Sequence, residues 1–351
     1  MVISQVRAGV ASAPVTRVAG FGRRRMLGFV AISAAFVGVL VLSLSIGSRD
    51  VDFADVWQAL LGGASNAEAR DVLELRVPRT VLGVLVGAAL GVGGALIQAV
   101  TRNPLADPGI LGVNAGSAFA VAIAVGVFGV TAPTDFIWFA FGGALVAAVV
   151  VFFVGSAGRG TVSPARITLA GVSLGAVLTG ITSAMVLANP RGYNAMRAWE
   201  AGTLADRGWS TMAVAAPYVI IGLVAAILLG RPLNAVALGD DLARSLGSRV
   251  VRTRVFAIVA ITLLCGAATA MAGPIAFVGL MIPHVARWLV GPDQRWIIAY
   301  SALLAPVLLL AADVLGRVIM PPGELQVSIV TAVIGAPVLI VLVRRQRASA
   351  L

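Results

Sequence analysis

Hydrophobic and polar positions alternate on a long wavelength along this 351-residue chain. Apolar runs of about 20 residues, enough for a helix to cross a bilayer core, are separated by short stretches that carry most of the charge. The pattern predicts ten spanning helices at 27–46, 77–100, 110–130, 136–155, 166–187, 212–230, 255–273, 274–290, 296–316 and 325–343. Only Gly273-Pro274 parts the seventh from the eighth. A tight turn and a single kinked helix both fit there, since proline lacks a backbone donor and suits the first turn of a new helix. Arg23, Arg24 and Arg25 precede the first run as they would in a signal peptide. Ser48-Arg49-Asp50 follows it in place of a cleavage site, so a retained span is expected. Residues 1–26 read as a disordered tail and 346–351 as a second tail, flanking one membrane domain over 27–345. The longest polar stretches, 47–76, 188–211 and 231–254, leave no soluble domain.

Composition strengthens this picture. The chain is 59% apolar and 12% charged, against roughly 25% charged in soluble domains, so it cannot cover a water-facing surface. The expected fold class is an all-α polytopic membrane protein. Ten spans put both termini on one side, and the arginines choose which. With cytoplasmic termini, 18 of the 26 arginines fall inside, against 4 of the 15 acids. The net charge of +11 would suit nucleic acid only if gathered on a water-facing surface. Here it lies between apolar runs, so membrane lipid is an expected partner and nucleic acid is not. Forty glycines along the spans predict close helix packing.

The chemistry-bearing residues exclude several classes. There is no lysine; all 26 basic residues are arginine. A P-loop needs its lysine to reach the β- and γ-phosphates, and a Schiff-base enzyme needs one too. Any ATP hydrolysis must occur on another chain. Cys265 has no partner for a disulfide and reads as a small buried hydrophobe. His284, alone, is a poor metal ligand, so no metal site is expected. No nucleophile, base and acid set indicates an enzyme. No carboxylate pair within a span supports an ion-gradient-driven transporter.

Four features remain as candidates. Residues 231–254 read as loop, short helix and loop. Leu238, Leu242 and Leu246 form a one-sided stripe, Asp240 and Asp241 precede Arg244 as the helix dipole prefers, and Gly247 suits a C-terminal cap. A soluble motor could grip such a helix, or it could lie against lipid. Residues 101–112, with Asn103 and two prolines, form a structured turn that is either a gate or a plain connection. Arg76, Arg79 and Arg317 fall outside, against the sidedness rule. They pair either with carboxylates of an external partner or with Glu74, Asp313, Glu324 or lipid phosphate. Gln98, Asn114, Ser173, Thr179, Thr182 and Ser183 sit in or beside spans, where polar groups must face protein or a water-filled path.

Six ordered motifs carry a resemblance: 75–116 (LRVPRTVLGVLVGAALGVGGALIQAVTRNPLADPGILGVNAG), 167–175 (ITLAGVSLG), 231–247 (RPLNAVALGDDLARSLG), 272–287 (AGPIAFVGLMIPHVAR), 312–317 (ADVLGR) and 329–343 (IVTAVIGAPVLIVLV). The chain resembles the FecCD family of ABC-importer permeases for iron–siderophore complexes, haem and vitamin B12, from about residue 27 onward. The resemblance implies a ten-helix permease of the vitamin B12 importer (type II) kind. It implies a dimer with a second permease subunit, two copies of an ABC ATPase subunit, and an extracytoplasmic substrate-binding protein. It implies that Leu238, Gly239, Asp240, Asp241, Ala243, Arg244, Leu246 and Gly247 couple to the ATPase, and that Arg76, Arg79 and Arg317 meet acidic residues of the binding protein. Asn103 and Leu105 would belong to a cytoplasmic gate, with a second element before the fifth span. There Ser163-Pro164-Ala165 replaces the family's hydroxyl cluster. Glu324-Leu325-Gln326 replaces Glu-Leu-Pro, and Ser328 stands where glycine is common. Gln98, Asn114, Ser173 and Thr179 are candidates to line the path. No cofactor is expected on this chain, since ATP and Mg belong to the ATPase. Ferric siderophore is the expected cargo, with vitamin B12 or haem as alternatives, and a heterodimer is favoured over a homodimer. The expected location is the cell membrane.

Overall fold

The computed structural model describes residues 19–47, 53–62, 67–130, 132–156, 164–189, 194, 196–197, 199–205, 207–320 and 323–348. Backbone polar groups at hydrocarbon depth find no water, so each apolar run satisfies its own as a helix. The elements are α1 (Ala19–Ser45), α2 (Phe53–Leu60), α3 (Ala67–Asp71), α4 (Val77–Thr101), α5 (Val113–Gly126), α6 (Pro133–Ser156), α7 (Pro164–Ala188), α8 (Trp209–Ala237), α9 (Asp240–Ser245), α10 (Val250–Ala272), α11 (Val278–Val290), α12 (Gln294–Ile319) and α13 (Val327–Ala348). Seven helices among the described residues are long and apolar enough to cross a membrane, and α5, α11 and part of α13 are shorter apolar helices. These ten match the ten expected spans in order. The short α2, α3 and α9 lie between them, and a π-helical turn, Val72–Arg76, joins α3 to α4.

Several boundaries differ from the sequence expectation. Helix α1 starts at Ala19, inside the expected tail, because its first turns are anchored. Arg25 Nε donates to Val290 O at 2.9 Å, and Tyr300 Oη donates to Arg25 O at 2.5 Å. Helix α13 likewise runs to Ala348, past the expected limit at 345. Helix α8 continues through Pro232 to Ala237, where a loop was expected. Leu233 and Val236 are fully buried, which offsets the backbone bond lost at the proline. The Asn234 amide also donates to Asp293 at 2.8 Å and accepts from Gln294 N at 2.7 Å.

The seventh and eighth spans are two helices, not one kinked helix. Helix α10 ends at Ala272, Gly273 takes φ 77°, and α11 begins only at Val278 after Phe277 at φ 70°. Pro274 therefore lies in the break and does not open α11. The freed Ala272 carbonyl accepts from Thr203 N at 2.9 Å, so residues 199–204 pack into the gap.

Helix α4 is the centre of the bundle. All of Val86 to Val100 is buried, against α12, α10, α11 and α8. Lipid gives little drive for helices to associate, so packing comes from close backbone approach. A Cβ on Gly87 would stand 2.6 Å from Pro306 Cα, and one on Gly91 would stand 2.7 Å from Ser301 O. A Cβ on Gly94 would strike the Gly279 carbonyl. Buried Cys265 packs against the same helix at Gly93.

Gly94→Ala should therefore destabilise the folded permease by about 1–3 kcal/mol through overpacking. Gly38→Ala, where an added Cβ meets nothing within 4 Å, should be neutral or slightly stabilising. Thermal unfolding in lipid nanodiscs measures both, and equal midpoints would contradict the packing account.

Candidate functional site

The polar side chains gather at opposite ends of α4. At the end where α4 begins, α1 terminates. The last carbonyls of a helix have no intrahelical donor, and here two arginines supply them. Arg76 Nη1 donates to Leu44 O at 3.0 Å and to Ser45 O at 2.6 Å. Arg317 Nη1 donates to Ser43 O at 3.0 Å and to Ile46 O at 2.5 Å. Four consecutive carbonyls are thus met by side chains from α12 and from the turn before α4. Ser43 and Thr80 share a further buried hydroxyl contact of 2.8 Å.

Asp313 binds this cluster together. Its carboxylate, 1% exposed, accepts from Arg317 Nη2 at 2.8 Å and from Arg79 Nη2 at 2.7 Å and Nε at 2.9 Å. Arg79 also donates to Glu324 at 2.7 Å, and Glu324 is the more open partner at 27%. Arg79 and Arg317 therefore take the local pairing open to them in the sequence. Arg76 and Arg317 are buried, with their donors on the carbonyls at the end of α1. The same end holds two more ties. Ser328 Oγ donates to Ala201 O, and Ser328 N donates to Gly202 O at 3.3 Å.

At the other end of α4 lies α9. Gly239, at φ 106°, turns the chain out of α8. Asp240 accepts two bonds from buried Arg254, at 2.8 and 3.0 Å, and pairs with Arg102 at 3.2 Å. Ala243, fully buried, packs with Val236 and Val250. The leucine stripe faces away from the bundle, with Leu238 59%, Leu242 50% and Leu246 63% exposed. Asp241 is fully exposed and pairs only loosely inward, with Arg244 at 3.0 Å. Gly247, at φ 78°, closes the helix. The two adjacent aspartates thus have different roles: Asp240 fastens α9 to α10 and α4, and Asp241 points outward. Nearby, Asp293 caps α12, and its bonds from Arg295 and Asn234 hold its carboxyl down at about 2.

Arg102 is also the left-handed residue that ends α4, so Asp240 ties α9 to the following turn. In that turn Asn103 Oδ1 accepts from Leu105 N at 2.9 Å, and Leu105 is exposed. Asp107 accepts from Gly109 N at 2.7 Å, and burial pushes its carboxyl above the ordinary range. Its turn-forming role was not anticipated, although an Asp-Pro pair is a sequence signal for it. Ser163 lies outside the described residues; Pro164 opens α7.

The candidate path residues divide. Gln98 is 1% exposed and donates to Leu280 O at 2.9 Å. Asn114 accepts from Thr269 Oγ1 at 3.0 Å. Both are held between helices. Ser173, Thr179 and Ser183 each occupy an exposed position of α7, while Thr182 is buried.

Seven long apolar helices and shorter ones between them, packed around a buried glycine-rich α4, make a multi-pass membrane protein. A model of the FecCD transport family matches residues 35–345. The ferric enterobactin transport system permease protein FepD of Escherichia coli (strain K12) is 51% identical over 330 residues, covering 92% of this chain and 98% of FepD. The iron(3+)-hydroxamate import system permease protein FhuB of Bacillus subtilis (strain 168) is 38% identical over 307 residues, covering 87% of this chain and 80% of FhuB. A solved structure described as an inward-facing conformation of a metal-chelate type ABC transporter superposes with a TM-score of 0.80 at 25% identity, covering 90% of this chain and 98% of that one. The chain belongs to the FecCD transport family.

Asp313→Ala would remove the counter-charge of buried Arg317 and one of the two carboxylates of Arg79, and should cost about 3–5 kcal/mol. Glu324→Ala, at a partly open position, should cost about 0–1 kcal/mol. Chemical unfolding in nanodiscs separates them, and a smaller loss for Asp313→Ala would refute the shared-carboxylate account.

Proposed function

We propose that this chain is the permease subunit of a binding-protein-dependent ABC importer for ferric siderophores of the enterobactin kind. The observation that carries the reading is α9. It is a helix locked to the bundle through Asp240 while its leucines stand open, which suits the seat of a separate motor. With no lysine, the chain cannot build the phosphate site itself, so ATP and Mg²⁺ act on two partner ATPase subunits. The identity to FepD supports the cargo.

In this reading both termini and α9 face the cytoplasm. Motor closure pushes α9, and the Asp240–Arg254 and Asp240–Arg102 pairs carry the push to α10 and to the 101–112 turn. That turn, with Asn103 and Leu105, forms the cytoplasmic gate, and Pro164 marks a second element at the start of α7. The exposed Ser173, Thr179 and Ser183 face a water-filled path shared with a second permease subunit, a related chain and not an identical copy. The external binding protein docks at the Arg79 end. Arg79 and Glu324 present the exchangeable pair there, and Arg76 and Arg317 shape that surface from within.

Reconstitution with the partner ATPase and binding protein should give ATP-dependent uptake of ferric enterobactin above a ferric hydroxamate, haem or cobalamin. Preference for haem or cobalamin would overturn the cargo assignment. Leu242→Asp should reduce recovery of the ATPase with the permease about tenfold or more, the value of one buried leucine. Unchanged recovery would remove α9 from the coupling role.

A further inference from the structure

An open apolar groove runs between α6 and α10 on the outside of the bundle. Leu145, Val149 and Phe153 line it from α6, and Val255, Val259 and Thr262 from α10. The wall offers no spare donor, because the Thr262 hydroxyl donates to Ile258 O at 2.9 Å on its own helix. Exposure is high along it, at 68% for Phe153 and 49% for Val259. Water has no favourable contact with such a surface, and an alkyl chain does.

Two observations select the occupant. From Val255 to Thr262 the helix rises about 10 Å, which fits within one leaflet's share of a hydrocarbon core roughly 30 Å thick. Arg252 lies one turn beyond Val255, on the same helical face, towards the α9 end. It is exposed, with its guanidinium over the Phe256 ring at 5.4 Å. Among the described residues no carboxylate pairs with it. The groove therefore ends where a headgroup would lie, and the charge there is positive.

We propose that this groove is a binding site for one anionic phospholipid, with an acyl chain between α6 and α10 and its phosphate on Arg252. The site is separate from the cargo path and the α9 surface, and it rests only on the chain's crossing of a membrane. A headgroup whose phosphodiester charge is not offset by its own ammonium gains from Arg252, because a basic residue near an anionic surface is worth roughly a fivefold preference. The lipid would fasten α10, which carries Arg254, the main anchor of α9.

The test uses the full-length permease in micelles doped with equal amounts of phosphatidylglycerol and phosphatidylethanolamine of matched chains. Lipid retained is counted by native mass spectrometry. Phosphatidylglycerol should be retained about fivefold over phosphatidylethanolamine. Arg252→Gln should abolish that preference while leaving total retention similar. Val259→Phe, at an exposed position that tolerates a larger side chain, should lower retention of both lipids. Equal retention by the unaltered protein, a preference that survives Arg252→Gln, or retention unaffected by Val259→Phe would each overturn the proposal. A second copy of the chain bound across the groove in place of lipid would overturn it too.

Discussion

Four carbonyls at the end of α1, from Ser43 to Ile46, have no helical donor of their own, and the bundle is organised around meeting that need. Arg76 and Arg317 supply the donors. Arg317, drawn out of water, needs a counter-charge, and Asp313 provides one to Arg317 and to Arg79 at once. Arg79 then reaches Glu324, just before α13. A backbone requirement at one helix end thus fixes the relative positions of α1, α4, α12 and α13. A lone buried pair is weak evidence for stability, since desolvation can exceed the Coulombic gain. Here the Arg317 guanidinium also donates to two carbonyls of α1, so more than the ion pair replaces its hydration.

The opposite end solves a different problem. There the ion pairs of Asp240 hold a short helix whose apolar face is left open. The contrast leaves one end of the molecule closed and the other bearing an open apolar helix, joined by α4. Gly87, Gly91 and Gly94 place the backbone of that helix directly against those of α12 and α11. An interior packed at this density shifts between arrangements as rigid elements.

Much of this was legible in the sequence. The ten spans follow from apolar length alone, and the α9 helix from its leucine period and flanking glycines. Boundaries were missed where distant contacts decide them. Nothing near Ala19 announces that Tyr300 will hold the first turns of α1, and nothing near Pro232 announces that Asn234 will join Asp293. The arginines show the same limit. Their departure from the sidedness rule marked Arg76, Arg79 and Arg317 as special. Yet carbonyls 31 to 274 residues away, invisible to local pattern, decide that Arg76 and Arg317 turn inward. Asp240 and Asp241 are equivalent in sequence, and only the position of Arg254 separates an anchor from an exposed charge.

The central claim is that α9 works as a lever because Asp240 fixes it to α10 and α4. The most direct measurement is the ratio of ATP hydrolysed to ferric siderophore imported, in the reconstituted transporter carrying Asp240→Asn. The leucine face remains, so the ATPase should still bind and hydrolyse, while transport falls and the ratio rises several-fold. An unchanged ratio with unchanged uptake would contradict the lever.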